Sequence, residues 1–269
     1  MIILIVTFLL TGLFSGLIAG LLGVGGGIII VPVSYFILLQ LGYSIDVVMH
    51  VSVASSLCII VFTSISSVLS HIKLNNVDRN VVKKWAAGII SGSIIGSLLA
   101  SRIEGEILVL IFISLAFLIS LNMFFQRNIK TIGNDIPQNF FINFSISGLI
   151  GSFSALIGIG GGSFSVPILS IFSKKMHQAV GTSAVLGFFI ALPGAISYIL
   201  LGINIEGLPP YSLGYVNILI VALVISTSIF TANIGAKLSS RISKEILKKI
   251  FAIFLLFTCT SLVIEHFII

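Results

Sequence analysis

The chain has 269 residues, of which 57% are hydrophobic and 8% charged, and its mean hydropathy is +1.24. A composition this apolar excludes a soluble globular enzyme. The net charge of +6 is spread over short loops, which excludes the contiguous basic face of a nucleic-acid-binding protein and fits a chain oriented in a lipid bilayer.

Residues 2–22 form the first apolar run. They lack the basic leader and small-residue cleavage site of a signal peptide, so they read as a retained membrane segment. The run ends in Gly-Val-Gly-Gly-Gly-Ile-Ile-Ile-Val-Pro at 23–32. Glycine forfeits backbone entropy and proline lacks a donor, so a regular helix breaks here and a second piece follows at 28–42. Plain spanning helices are expected at 47–71, 82–101 and 104–125. A polar linker, Arg127 to Gln138, contains Gly133, Asn134, Asp135 and Pro137. Beyond it the order repeats: an apolar run at 140–157, Gly-Ile-Gly-Gly-Gly-Ser-Phe-Ser-Val-Pro at 158–167, a piece at 163–173, then spans at 178–201, 215–237 and 245–267. The pieces after the breaks reach only ~22 Å and ~17 Å at the helical rise, against a hydrocarbon core of about 30 Å.

The chain is therefore an internal duplication: a first repeat at 1–126, a linker at 127–138 and a second repeat at 139–269. Val-Ala-Ser-Ser at 53–56 matches Val-Gly-Thr-Ser at 180–183, and Ile-Gly-Ser-Leu-Leu-Ala-Ser-Arg at 95–102 matches Ile-Gly-Ala-Lys-Leu-Ser-Ser-Arg at 234–241. If each broken element crosses once, the basic residues divide almost evenly between the two sides. If each goes in and comes back, the second repeat is inverted. Lys73, Arg79, Lys83, Lys84, Arg127, Lys130, Lys174, Lys175, Lys237, Arg241, Lys244, Lys248 and Lys249 then share one side, and only Arg102 lies opposite. That asymmetry is what the positive-inside rule demands. The expected fold is an all-α polytopic membrane protein of two inverted repeats, each a glycine-broken helical hairpin plus three transmembrane helices. Both termini are expected outside the cytoplasmic membrane. Trp85, beside Lys83 and Lys84, is expected to anchor at the cytoplasmic interface, and Gly88, Gly92 and Gly96 to mark a close helix contact.

The breaks carry the first candidate chemistry. Half-helices starting near Ile28 and Ser163 would aim first-turn amides and positive dipole ends at an anion. The binding residues expected on this ground are Gly25, Gly26, Gly27, Gly160, Gly161 and Gly162, with Pro32 and Pro167 fixing the breaks. The hydroxyl pairs Ser55-Ser56 and Thr182-Ser183, at repeat-related positions, complete an oxyanion cradle; such hydroxyls also commonly bond back to the preceding turn. No Asp, Glu, Lys or Arg falls mid-span. Proton coupling, if any, is left to His71 or His50, although a histidine so placed is more often capping or interfacial than a proton relay, and repeat alignment puts Tyr198 opposite His71. Asn122, Asn204 and Asn233 are further buried-polar candidates, and His177 and His266 read as loop and terminal residues. Cys58 and Cys259 are isolated in apolar segments, so no metal site is expected. There is no P-loop, dinucleotide fingerprint, HExxH or nucleophile elbow, hence no catalytic residue and no cofactor.

The chain resembles the TauE/SafE family of bacterial sulfite and organosulfonate exporters over nearly its whole length. The resemblance rests on both glycine motifs, Thr182-Ser183, Pro-Gly-Ala-Ile-Ser-Tyr at 193–198, Gly-Leu-Pro-Pro-Tyr-Ser-Leu-Gly-Tyr-Val-Asn at 207–217 and Gly-Ala-Lys-Leu-Ser-Ser-Arg at 235–241. In the first half the family's Thr-Ser element appears as Ser55-Ser56. The resemblance implies a transporter or facilitator of small sulfur-containing anions such as sulfite, thiosulfate or sulfoacetate. Its partners would be that anion and the lipid bilayer. The alternative is a non-transporting membrane protein that serves as an assembly or sensing partner of another complex.

Overall fold

A computed structural model describes residues 2–125, 133, 135–239 and 244–268. Arg127, Lys130 and Arg241, which enter the charge count, and Asn134 of the linker lie outside the described residues, as do the side chains of Lys244, Lys248 and His266. The first half contains α1 (Ile2–Leu22), α2 (Gly27–Gln40), α3 (Ile45–Lys73), α4 (Arg79–Ala100) and α5 (Gly105–Phe125). The second contains α6 (Phe140–Leu156), α7 (Gly162–Ile171), α8 (Met176–Gly202), α9 (Ile218–Leu238) and α10 (Lys244–Ile268). Helices α1, α3, α5, α8 and α9 are long and apolar enough to cross a membrane. The expected span at 215–237 starts late, because Ser212–Leu213 and Val216–Asn217 form a two-stranded hairpin ahead of α9.

Side-chain caps decide where several helices begin. Ser44, Asp78, Asn139 and Asn217 each accept an amide from the first turn of α3, α4, α6 and α9. The helices α2 and α7 start differently, at Gly26 and Gly161, with no side-chain cap.

Helix pairing follows from small residues. Gly88, Gly92 and Gly96 of α4 lie against Ser147, Gly148 and Ser152 of α6, so these helices run parallel. A second stripe, Gly12, Gly16 and Gly20 of α1, packs in the same way on Thr227, Ser228 and Ala232 of α9. A side chain at these glycines would overlap the facing backbone, and that close approach is what binds helices where lipid is as apolar as the core. Helices α3 and α8 are antiparallel: Asp78 just beyond α3 meets Thr182, while Leu57 meets Gly194. Helices α5 and α10 are antiparallel as well, with Ser120 bonded to the Ala252 carbonyl and Cys259 to that of Ile113.

Trp85 corrects an expectation. It is fully buried and its Nε1 donates to Asn143 Oδ1 at 2.9 Å, so it ties α4 to α6 and does not sit in a lipid-facing belt. The indole must find an acceptor when buried, and Asn143, held by the Pro137 and Asn139 carbonyls, supplies it.

Charge pairing collects at one end of the bundle. Lys174, after α7, meets Asp78 at 2.7 Å and Asp135 of the linker at 2.8 Å, and Lys84 donates to Gln138 at 2.7 Å. Burial pushes the Asp78 carboxyl up, but the Lys174 ammonium and the Val81 and Asn80 amides outweigh it and hold it below its ordinary value. Lys174 and the Ile136 amide hold Asp135 low. Burial lowers Lys174, yet both carboxylates outweigh it and raise its pKa.

Two outcomes follow. Both carboxylates are depressed, so their stabilisation is present above the ordinary Asp pKa of about 3.9 and disappears as pH falls through their lower folded values. Thermal unfolding in detergent is expected to lose midpoint below about pH 4, and Asp78→Asn, which keeps the cap, should flatten that acid limb. Gly92→Leu, which drives a side chain into the Gly148 carbonyl, should cost about 1–3 kcal/mol as overpacking does. A lowered unfolding midpoint at neutral pH is its readout.

Candidate functional site at the glycine junction

Each broken element is a hairpin that turns back inside the helix bundle. The chain leaves α1 through Gly23 to Gly26, and a Cβ on Gly26 would sit 2.7 Å from the Ser15 carbonyl oxygen, so α2 returns toward the end from which α1 came. Gly25 and Gly26 hold φ of 79° and 78°, a left-handed conformation that disfavours other residues by about 1–2 kcal/mol each. The second break, 157–161, turns α6 back into α7 and toward Lys174, near the end where α6 began.

The two breaks press directly on each other. A Cβ on Gly25 would lie 3.0 Å from the Gly160 Cα. One on Gly27 would overlap the Gly158 carbonyl, and one on Gly162 that of Gly23. Hydroxyl doublets lock this contact reciprocally. Ser56 donates to the Gly158 carbonyl at 2.7 Å, and Ser183 donates to the Gly23 carbonyl at 3.3 Å. Ser55 accepts the backbone amide of Asn217, the cap of α9, while Thr182 accepts that of Asp78, the cap of α4, both at 2.9 Å. His71 Nε2 lies 3.3 Å from the Gly20 carbonyl, and Tyr198 donates to the Ala155 carbonyl at 3.4 Å. Each bond has its counterpart in the other half.

The expected residues thus come together, but with divided roles. Gly25–Gly27 and Gly160–Gly162 form the junction. The hydroxyls of Ser55, Ser56, Thr182 and Ser183 are engaged with backbone. Pro32 and Pro167 are not in the breaks: each is the sixth residue of its half-helix, α2 or α7. Proline there removes the amide that would bond the carbonyl four residues earlier, at Ile28 and Ser163, so the glycines make the break and the prolines loosen the first turn. His50 is buried with Nδ1 2.8 Å from the Asp46 carbonyl and Nε2 2.9 Å from that of Ala100, stacked on Tyr215 at 5.0 Å, so both ring nitrogens are engaged with backbone. Asn122 and Asn204 are exposed, whereas Asn233 accepts from Ser70 at 2.7 Å.

Residues that the motif reading missed line two small cavities beside the junction. Thr63, Ser64 and Ser67 of α3 face Gly23, Gly25 and Gly187 around a space of ≈ 10 Å³. Ser163 faces Val24 and Val180 around another of ≈ 20 Å³. These volumes hold one water at most. Ser67, Ser163 and Ser165 are buried, with hydroxyls that have no hydrogen-bond partner. An orphaned buried hydroxyl costs about 1–3 kcal/mol, so the junction is short of acceptors. The legible signal was spacing: Ser56, Thr63, Ser67 and Ser70 fall on one stripe of α3. With hydroxyl and amide donors and no charged side chain among its described lining residues, the site suits a small anion held by hydrogen bonds alone.

Residues 8–262 match the family model described as sulfite exporter TauE/SafE. A probable membrane transporter protein of Haemophilus influenzae is 32% identical over 96% of this chain and 97% of its own length. The probable membrane transporter protein YunE of Bacillus subtilis is 30% identical over 68% of this chain and 73% of its own. A third, from Methanocaldococcus jannaschii, is 29% identical over 81% and 79%. No solved structure matches. A glycine-broken, multi-pass helical chain matched from residue 8 to residue 262 belongs to the sulfite exporter TauE/SafE family of membrane transporters.

Proposed function

We propose that the chain is a secondary transporter or facilitator of small sulfur-containing anions across the cytoplasmic membrane. Sulfite, thiosulfate, sulfoacetate and related organosulfonates form its substrate class, and it works by alternating access. The observation that carries the reading is the junction itself: two re-entrant breaks in contact, surrounded by hydroxyls that lack acceptors. Inverted repeats are supported by the antiparallel packing of α3 on α8 and of α5 on α10, because each pair consists of repeat-related helices. Placing both termini outside is supported by the paired charges around Lys174, which gather where α4 starts and α7 ends. In the second half Tyr198 makes the bond that His71 makes in the first, and a phenol keeps its proton at neutral pH. That equivalence favours His71 as a tie over His71 as an obligatory proton relay.

The test is saturable, competable flux of labelled sulfite in proteoliposomes, which a non-transporting assembly or sensing partner would lack. Two adjacent substitutions then localise the site. Gly162→Ala drives a methyl into the Gly23 carbonyl and should reduce flux more than ten-fold, with a lower unfolding midpoint. Gly161→Ala overlaps only the terminal Cδ1 of Ile190, at 2.6 Å, and comes to 3.4 Å from Ser165 Oγ; it should leave the midpoint unchanged while reducing flux, because the methyl narrows the space beside Ser165. Wild-type flux from both variants would reject the junction as the binding site.

A further inference from the structure

We infer that the cleft between α3 and α4, at the lysine-bearing end where Lys174 is paired, holds the headgroup of an anionic phospholipid. This needs only the membrane setting of the chain, not the transport reading above. Helices α3 and α4 are consecutive, yet each packs on α8 and neither packs closely on the other. Between them lies a cavity of ≈ 330 Å³, within the size range of small-molecule sites, with Val185 of α8 in its lining. The rest of the lining divides by chemistry. Val68, Ile72, Val77 and Val82 are apolar, whereas Asn75, Arg79 and Lys83 offer only donors or an amide. Among the described residues neither Arg79 nor Lys83 is in a salt bridge or a side-chain hydrogen bond. The carboxylate next to them, that of Asp78, is committed to Lys174 at 2.7 Å.

The second repeat supplies the comparison. Asp78 and Asn217 are equivalent, since each gives its amide to a hydroxyl of the opposite doublet. In the same register Arg79 and Lys83 correspond to Ile218 and Ala222, and Ile72 corresponds to Ile199. There the connection is longer by the stretch 203–214 and folds back over these positions. A Cβ on Gly214 would overlap the Ile199 carbonyl, and the Tyr211 carbonyl accepts the Ile218 amide at 2.9 Å. The short connection Leu74 to Asp78 supplies no such cover. The first repeat therefore has a cavity where the second has a hairpin, and two cations where the second has Ile218 and Ala222.

Charge and apolar surface together select the occupant. A free oxyanion would satisfy the cations and leave the valine and isoleucine surface bare. A neutral chain would cover that surface and leave the cations without an acceptor. The cavity also borders the lipid-facing side of both helices. Ile72 heads the exposed stripe Leu69, Ile65 and Phe62 of α3, and Lys83 heads Ala87, Ile90 and Ile94 of α4. Acyl chains along these stripes place a phosphate level with Arg79 and Lys83, as basic pockets between spanning helices do for anionic headgroups. Basic residues at helix ends satisfy the orientation rule with no cavity at all. That rule does not account for an apolar recess that protein covers in the other repeat.

The test titrates the full chain in detergent with phosphatidylglycerol or phosphatidylcholine and reads bound lipid by native mass spectrometry. Wild type should hold one phosphatidylglycerol about ten-fold more tightly than phosphatidylcholine, a comparison that needs no variant. Arg79→Gln with Lys83→Gln should remove that preference. Both side chains are exposed, so the unfolding midpoint in lipid-free detergent should stay at the wild-type value. Lys73→Gln with Lys175→Gln, at the same end but outside this cavity, should bind as wild type does. Val185→Phe, which fills the recess and keeps both cations, should also weaken phosphatidylglycerol. Equal affinity of wild type for the two lipids overturns the inference. So does an equal loss in the Lys73 and Lys175 variant, which would reduce the effect to general surface charge. Displacement of the lipid by excess glycerol 3-phosphate would make this a small-anion site and overturns it as well. Flux is not read in any arm, so absent sulfite transport would sink the function proposed above and leave this site standing.

Discussion

Backbone that leaves the helix inside lipid must find partners, because an unpaired amide or carbonyl there costs several kcal/mol and no water replaces it. This chain meets that demand by giving each break to the opposite half. The Gly158 carbonyl is held by Ser56, and the Gly23 carbonyl by Ser183. Each bond is worth about 1 kcal/mol net in a membrane interior, but leaving its acceptor unmade costs more than making it gains. Neither break can therefore settle without the other. The glycines follow from the same demand, since a Cβ on Gly27 or Gly162 would occupy the place of the carbonyl it faces.

The outer frame exists to hold that interlock at fixed height. The glycine stripes on α1 and α4 bring these helices against α9 and α6 at backbone distance. The caps of α4 and α9 then present the Asp78 and Asn217 amides to Thr182 and Ser55. One side chain of each doublet thus sets the register of a helix start, that of α4 or α9, and its neighbour sets the register of a break. The doublets are more than a cradle for a guest. They are the latch between repeats, and the hydroxyls of Ser67, Ser163 and Ser165 are buried without hydrogen-bond partners.

Element order, the positions of both breaks and the partnership of the two motifs were legible because each rests on local chemistry: apolar run length, glycine clusters and capping residues. The equivalence of His71 and Tyr198 was legible from repeat alignment alone. What failed depended on three-dimensional neighbours. Trp85 lies next to two lysines in sequence, yet Asn143 of α6 buries it. Pro32 and Pro167 sit in the motifs but inside the half-helices, since glycine had already ended the preceding helix several residues earlier. Asn122 and Asn204 had nothing in sequence to separate them from Asn233, which differs only in having Ser70 across the α3–α9 contact. The hydroxyl stripe of α3 was visible as spacing, but serine in a membrane helix usually bonds its own preceding turn, so only the cavity gives it meaning.

The latch is not symmetric in strength, and that has a consequence for access. Ser56 commits its proton to Gly158 at 2.7 Å, whereas Ser183 divides its proton between the Gly23 carbonyl at 3.3 Å and the Val180 carbonyl of its own turn at 2.8 Å. When the Gly23 bond is lost, Ser183 still has an acceptor. When the Gly158 bond is lost, Ser56 must find a new one. Separating the halves therefore costs least on the Gly23 side, and the cavity of Thr63, Ser64 and Ser67 borders Gly23. The polar line of α3 leads from that cavity toward the lysine-bearing end. The weaker half of the latch, the unpartnered hydroxyl of Ser67 and the lysine-bearing end thus fall along one line of α3, whereas the repeat-related positions in α8 are Ile190, Ala191 and Gly194, which carry no side-chain donor.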